Sequence, residues 1–476
     1  MKQFLLRFGV GKEAKKTLNL DLDTWRKPAA EEVLRTGTVV VGAGVSGLSC
    51  AKTLLDAGYG DFLVLESSDA VGGRVATDEV GGYLLDRGFQ VFIEQYPESK
   101  KLFDYPQLNL KPFLPGAMVR YGGAFHLVSD PFRRPQDLLA SAVSPIGTFI
   151  DKAKVGIYSL LIRTYSLPDI AARKEYPTSE YLARHLELSD AMIDRFFRPF
   201  FQGIYLSPLE EQSSRMFEFA FQMFTTGAAT LPEGGMGAAP MQVAESLGGR
   251  VMCETRVGRI GKEGGGFVVQ ASRGGKALRV ECERVVVAAD PAAAQALLQV
   301  SASASASSGC LGAEARIDLP KARGSTCLYF GFDGPAPVLL PMLILNGDSR
   351  AQEQFSTTIN NVCFPSQVSS KYAPAGKTLA SVTLIGCDMA LSDAQMGAQV
   401  QAQLREWWGE QVDSWGLLRV YRIPYAQPAQ TPSGLGASPV ALGEGLYCVG
   451  DHRSSATLNG AISSGRLAAE SILKSF

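Results

Sequence analysis

The spacing of apolar positions changes along the chain, and each change marks an element. Thr38-Val39-Val40-Val41 is an unbroken β-branched run, the pattern of a strand buried on both faces of a parallel sheet. After a glycine-rich turn, Leu48, Ala51, Leu54 and Leu55 recur at helical spacing until Gly58 supplies a stop, and residues 62–65 are apolar again. Residues 118–127 alternate around Gly122-Gly123, which predicts a hairpin, and residues 136–230 read as mainly helical. Strands are expected at 251–257 and 284–288, with a hairpin of 267–270 and 277–281 before the latter. Residues 327–332, 338–345 and 378–385 are strand-like, and 392–408 is a helix with Val400 and Leu404 on one face. A strand at 445–449 and a helix opening within 456–466 close the chain.

Composition narrows the class. The chain has 476 residues, 46% hydrophobic and 20% charged, which suits a soluble protein of two domains. A net charge of −1 leaves no basic footprint, so no nucleic-acid partner is expected. Eight cysteines without a C-x-x-C pair, and only three histidines, indicate neither a metal site nor a disulfide framework, and free thiols fit a reducing compartment. No apolar run reaches the length of a transmembrane helix. The basic start of the chain, residues 1–16, reads as part of a plain extension over 1–35, with a targeting remnant or a membrane-surface helix as alternatives. Ser301 to Ser308 is a low-complexity stretch expected to be a flexible loop.

The chemistry starts at the first turn. Gly42 permits a sharp turn, Gly44 lets the backbone approach a pyrophosphate, and Gly47 lets the helix lie against the strand. The helix N-terminus supplies amides and a positive dipole end for phosphate, and Glu66, nineteen residues after Gly47, stands where ribose hydroxyls need an acceptor. Gly42, Gly44, Val45, Ser46, Gly47, Glu66 and Ser67 are therefore candidate dinucleotide contacts.

The following Gly72-Gly73-Arg74 is more than a nicotinamide site needs. Together with the strand, turn, helix and acid, it closely resembles the fingerprint of the FAD-dependent amine oxidoreductase superfamily, which includes monoamine oxidases, protoporphyrinogen oxidases and the carotenoid desaturases and isomerases. The resemblance implies a Rossmann-type α/β FAD-binding domain over 36–105, 232–300 and 421–476, interrupted by an α+β substrate domain over 106–231 and 301–420. It implies that Gly73 and Arg74 lie against the FAD diphosphate, that Gly88, Phe89 and Gln90 run beside the flavin ring, and that the Pro232-Glu233-Gly234-Gly235-Met236 turn passes near it. Val257 would hold the adenine through its backbone, and Asp451, after Gly450, would meet the ribityl or pyrophosphate part. Leu458, Asn459 and Ala461 would bring a helix end to the flavin edge that becomes negative on reduction.

The chain also departs from the amine-oxidising members of that superfamily. Cys448 stands before Gly450-Asp451 rather than in the setting that attaches FAD covalently, so non-covalent FAD is expected, and no pair of amine-caging aromatics is identifiable. The segments 196–205 and 216–224 are dense in Phe and Met, fitting an apolar substrate tunnel, helix core, or both. Trp407, Trp408 and Trp415 read as packing residues. Hydride transfer to a flavin needs no obligatory acid–base triad, so Arg198, Tyr425 and His452 are only weak catalytic candidates. The expected activity is FAD-dependent oxidation of an apolar, carotenoid- or tetrapyrrole-like substrate. A flavin-dependent isomerase, an amine oxidase and a non-catalytic FAD-binding subunit stay open, as do a plastid or cytoplasmic location, peripheral membrane contact and an oligomer or larger assembly.

Overall fold

The computed structural model describes residues 32–303, 317, 319–348, 357–432 and 438–476. Residues 1–31, which hold nearly all of the expected N-terminal extension, lie outside the described residues.

Two sheets organise the molecule. In the first, Val251–Met252, Phe62–Leu65, Glu32–Val41 and Lys276–Val287 lie side by side, all parallel. The strand Lys276–Val287 then serves two neighbours. Its first part pairs antiparallel with Gly266–Arg273, which pairs with Thr255–Glu263, and its end pairs parallel with Leu446–Cys448. Val39, Val40, Val285, Val286 and Val287 are fully buried, as β-branched residues between two covered faces should be. The helices Val45–Asp56 and Leu458–Leu473 pack against each other, and the hydroxyl of Ser49 donates to the carbonyl of Ile462 at 2.8 Å.

The second sheet has seven strands in the order Gly416–Pro428, Ala322–Asp333, Lys377–Ile385, Ile359–Cys363, Leu343–Asn346, Gly116–Tyr121 and Ala124–Ser129. Only Leu343–Asn346 and Gly116–Tyr121 pair in parallel. The turn between the last two strands is Gly122-Gly123, both with positive φ (59° and 81°), the geometry a two-residue hairpin demands. Helices from residues 149 to 226 form a separate apolar cluster beside this sheet.

Several expected boundaries move. The first strand starts at Glu32 rather than Thr38, because its polar first half pairs with Leu278–Cys282. The stretch 251–257 is two strands, broken where Glu254 takes φ 53°. Of 338–345 only Leu343–Asn346 is strand, since prolines at 337 and 341 interrupt the ladder. Helix Pro291–Ser303 runs into the serine stretch expected to be a loop, and residues 304–308 lie outside the described residues. Trp407, Trp408 and Trp415 do pack: Trp415 stacks on Phe332 at 4.3 Å and Trp408 on Phe125 at 5.7 Å. Among the described residues no helix is long and apolar enough to cross a membrane.

Candidate cofactor and active site

The three glycines of the first turn have three different local environments. Gly42 has φ 106°, and a Cβ there would stand 2.7 Å from the carbonyl oxygen of Ala288. A Cβ on Gly47 would overlap the carbonyl oxygen of Gly42, so this residue sets how closely helix Val45–Asp56 lies on its strand. A Cβ on Gly44 would meet nothing within 4 Å, because that side faces a cavity of about 1480 Å³. No side chain caps the helix at Gly44, so its first amides, at Val45 and Ser46, remain for an anion.

Glu66 ends its strand buried, with its backbone N–H on the carbonyl of Met252 at 2.9 Å. Its carboxylate accepts from the amides of Ala43 (2.7 Å) and Ser68 (2.8 Å) and from the hydroxyls of Ser68 (2.6 Å) and Ser67 (3.3 Å). These bonds hold the acid at the cavity wall, which Ser67 also lines. Gly72 and Gly73 both take positive φ, and Gly72 donates to the carbonyl of Ala43 at 2.9 Å. Arg74 follows and reaches across to the far end of the chain. Its guanidinium meets both carboxylate oxygens of Asp451 (2.7 and 2.8 Å) and the carbonyl of Ala426 (2.8 Å).

Gly88, Phe89 and Gln90 continue the wall, and the carboxamide of Gln90 donates to the carbonyl of Arg74 at 2.8 Å. Behind them Asp86 is buried and accepts from the Thr77 hydroxyl (2.6 Å), the Met236 amide (2.9 Å) and the Tyr372 hydroxyl (3.0 Å). Burial pushes its carboxyl up to about 6. These bonds tie the Pro-Glu-Gly-Gly-Met turn to the strand Tyr83–Asp86.

At the other end Thr457 caps helix Leu458–Leu473, its hydroxyl accepting from Gly460 at 2.9 Å, and Thr457, Leu458 and Ala461 line the cavity. Val257, Gly450, Asp451 and His452 line it too. Burial pushes the His452 imidazole down to about 4, and its Nε2 lies 3.7 Å from Cys448 Sγ. A neutral imidazole at pH 7 follows. The site residues fit FAD: an open helix N-terminus, a space beside Gly44 that a Cβ would enter, a buried acid beyond it, and a second helix N-terminus at the opposite wall.

Four expected site residues are placed elsewhere. Gly47 is packing rather than wall. Asn459 turns its carboxamide oxygen to the amide of Glu98 at 3.0 Å, joining the last helix to Pro97–Leu102. Arg198 pairs with Asp194 and Glu210, both at 3.1 Å, and is not part of the cavity wall. Tyr425 lies beneath Arg74, with the guanidinium 5.5 Å from the ring centre, also outside the wall.

The Phe-rich segments do two things at once. Phe197, Phe201 and Phe217 are buried in the helical cluster, whereas Phe196, Phe200, Phe221 and Phe224 line the cavity. Helical spacing assigns neighbours in sequence to opposite duties. Wall residues that the sequence did not single out include Phe113, Tyr96, Ile423 and Ala288-Ala289-Asp290. The last of these had a signal, since it directly follows a β-branched run.

A family model described as flavin containing amine oxidoreductase matches residues 45–473. The coproporphyrinogen III oxidase of Propionibacterium freudenreichii subsp. freudenreichii is 28% identical over 185 residues, 37% of this chain and 33% of that protein. The 15-cis-phytoene desaturase of Narcissus pseudonarcissus is 46% identical over 72 residues, 15% of this chain and 12% of that protein. The chain thus spans a third or less of the length of these curated relatives. Among solved structures, a protein of Exiguobacterium sp. 255-15 assigned as a protoporphyrinogen oxidase superposes with a TM-score of 0.67 at 19% identity, covering 94% of this chain and all of that one. Cyclohexylamine oxidase from Brevibacterium oxydans IH-35A gives 0.62 at 16% identity, covering 92% and 99%. At such identities these two likenesses concern the fold. The family match spans both halves of the cavity wall, from the open N-terminus of helix Val45–Asp56 to helix Leu458–Leu473, and the chain belongs to the flavin-containing amine oxidoreductase family, whose cofactor is FAD.

Proposed function

We propose that this protein oxidises an extended or polycyclic apolar substrate, carotenoid- or tetrapyrrole-like, with FAD held non-covalently. The observation that carries the reading is the continuity of one cavity from the glycine turn at Gly44 to the phenylalanine wall at Phe196, Phe200, Phe221 and Phe224. Bound FAD would supply a two-electron acceptor for a substrate C–H bond. The chain's own residues orient the substrate along that wall and keep water from it. The first sheet and its helices would serve as cofactor domain, and the seven-stranded sheet with helices 138–226 as substrate domain.

The charged groups near the apolar end favour this over amine oxidation. Arg133 pairs with Asp130 at 2.9 Å and donates to the carbonyls of Gly227 and Phe224, both at 2.8 Å. Lys152 donates to the carbonyls of Ala142 (3.1 Å) and Ser144 (2.6 Å). Both are cations and would repel a substrate ammonium, and the one nearby carboxylate on the wall among the described residues, Asp130, is already taken by Arg133. No cysteine among the described residues lines the cavity, in keeping with non-covalent FAD. The test is anaerobic titration of the yellow holoprotein with porphyrinogen, carotenoid-precursor and amine panels. Bleaching by a porphyrinogen or a polyene supports the reading, and bleaching by amines alone refutes it.

A further inference from the structure

The strand Ile359–Cys363 carries a bulge that decides which of its side chains meet the cavity. Ile359 stands opposite Leu384 and Asn361 opposite Thr383, so Asn360 is one residue more than the partner strand supplies. Without it, Ile359 and Asn361 would share a face, as residues two apart in a strand do. With it, Ile359 joins Leu384 in the apolar cluster around helix Asp393–Trp408, and Asn361 turns to the other face beside Thr383. Both Asn361 and Thr383 line the cavity.

These two are polar side chains in an apolar setting. Each is 3% exposed, and the same sheet gives the wall Leu343 and Ile423. The carboxamide nitrogen of Asn361 donates to Asn360 Oδ1 at 2.7 Å, which fixes the group and leaves its own oxygen over. Neither Asn361 Oδ1 nor Thr383 Oγ1 has a hydrogen-bond partner among the described residues. Helix Arg198–Tyr205 comes down on the asparagine pair at Gly203, where a Cβ would stand 2.7 Å from Asn360 Oδ1 and 3.0 Å from Asn361 Nδ2. A buried polar atom without a partner is costly, and a bulge that sets two of them side by side calls for something that completes them. Ser325 prolongs the strip on the same face, its hydroxyl reaching the carbonyl of Leu384 at a long 3.4 Å. It stands opposite Ile423, whose Cδ1 would lie 2.6 Å from a Cβ on Gly88. The polar strip therefore starts at the 88–90 wall.

We infer that Asn361 and Thr383 are the hydrogen-bonding floor of the substrate site and select a substrate that carries a neutral N–H of the pyrrole kind over a pure hydrocarbon. A carboxamide oxygen accepts, and a hydroxyl accepts or donates as required. Both are uncharged, so they suit a neutral donor, whereas a buried ammonium would lack the carboxylate it needs. The choice rests on the apolar-substrate reading above: of the two types named there, a tetrapyrrole presents N–H groups and a polyene presents none.

The test uses three rigid probes without an oxidisable C–H, read by the perturbation of flavin absorbance in the holoprotein: carbazole, which has the N–H, N-methylcarbazole and phenanthrene. The native chain is expected to bind carbazole on the order of tenfold more tightly than the other two. Thr383→Val and Asn361→Leu should lose that preference, and Thr383→Ser should keep it. Flavin content should be unchanged, and the thermal midpoint of Thr383→Val equal or higher, because the hydroxyl it removes has no partner in the free protein. A purely structural hydroxyl would lower that midpoint. If Asn361→Leu loads flavin poorly, the two Thr383 variants carry the comparison. Equal binding of the three probes by the native chain, or a preference that survives Thr383→Val, would overturn the assignment. So would flavin loss in Thr383→Val, which would give the hydroxyl to the cofactor, or a lower midpoint, which would give it to the fold. Those results leave the apolar-substrate reading in place as long as phenanthrene binds, whereas a native chain that binds none of the probes would sink both.

Discussion

The guanidinium of Arg74 clasps both oxygens of the Asp451 carboxylate, at 2.7 and 2.8 Å, across 377 residues of sequence. Asp451 is nearly buried and Arg74 about two-fifths exposed, so the acid is the more dependent partner. The pair locks the loop after the second strand to the turn before the last helix, and both residues line the same cavity.

Breaking that clasp should be felt by the cofactor. Arg74→Lys keeps the charge and loses the fork, and it should weaken FAD binding by about tenfold, equivalent to roughly 1.4 kcal/mol. Asp451→Asn should do the same, and the double variant should lose less than the sum, because the two residues act as a unit. Quenching of flavin fluorescence on titration into apoprotein measures all three. Strict additivity would mean that the pair does not couple.

Gly44 and Gly47 should separate binding from folding. Gly44 has ordinary φ (−69°) and open space beside it, so Gly44→Val should leave the apoprotein's thermal midpoint within a few degrees and abolish flavin retention. Gly47→Ala places a methyl into the Gly42 carbonyl, so it should destabilise the apoprotein itself by on the order of 2–3 kcal/mol and lower its midpoint accordingly. Calorimetry of the apoproteins with flavin counts on the same preparations distinguishes the two.

His452 should give stability a dependence on acid. Its pKa falls from 6.5 to about 4 on burial, so the unfolded chain binds a proton that the native state refuses. Stability therefore declines as pH drops from about 6.5 toward 4. Asp86 works with the opposite sign: raised from 3.8 to about 6, it favours the native state at low pH, and this contribution is lost as pH rises through 6. His452→Gln should remove the acid-side decline and leave the Asp86 slope, so that urea midpoints between pH 4 and 6.5 fall with rising pH. An unchanged profile would mean that the imidazole is not buried neutral.

Phe200 and Phe201 are neighbours with opposite assignments. Phe200 lines the cavity, so Phe200→Ala should raise KM by about tenfold at modest cost in stability. Phe201 is fully buried, 4.7 Å from the Phe217 ring, so Phe201→Ala should cost on the order of 3–5 kcal/mol. The comparison needs only steady-state kinetics and a denaturant curve for each.

What could be read from sequence was what local geometry enforces. A sharp glycine turn, a β-branched run and an acid at the end of a strand each have their meaning within a few residues, so the places of Gly42 and Glu66 were legible, whereas Gly73 stood out only through the resemblance. Ile359–Cys363 was not, since Ile-Asn-Asn-Val-Cys carries no alternation and every residue in it is buried. Asn459 could not be distinguished from a cofactor contact, because its partner is an amide 361 residues earlier. Nor could the sequence say which of the crowded phenylalanines faced the cavity, for that depends on which face of the helix meets the chamber.

The close seating of helix Leu458–Leu473 on helix Val45–Asp56 has a consequence for how the protein is made. A Cβ on Gly465 would overlap the carbonyl oxygen of Ser46, so the two helices touch through bare backbone at the very turn that offers its amides to phosphate. The neighbouring strands in the sheet beneath them are also far apart in sequence: 32–41 beside 276–287, and 276–287 beside 446–448. During synthesis, then, the first turn waits for nearly the whole chain before its partner arrives, a slow kind of closure. A nascent chain can therefore complete the walls of the cavity only after helix Leu458–Leu473 has emerged from the ribosome.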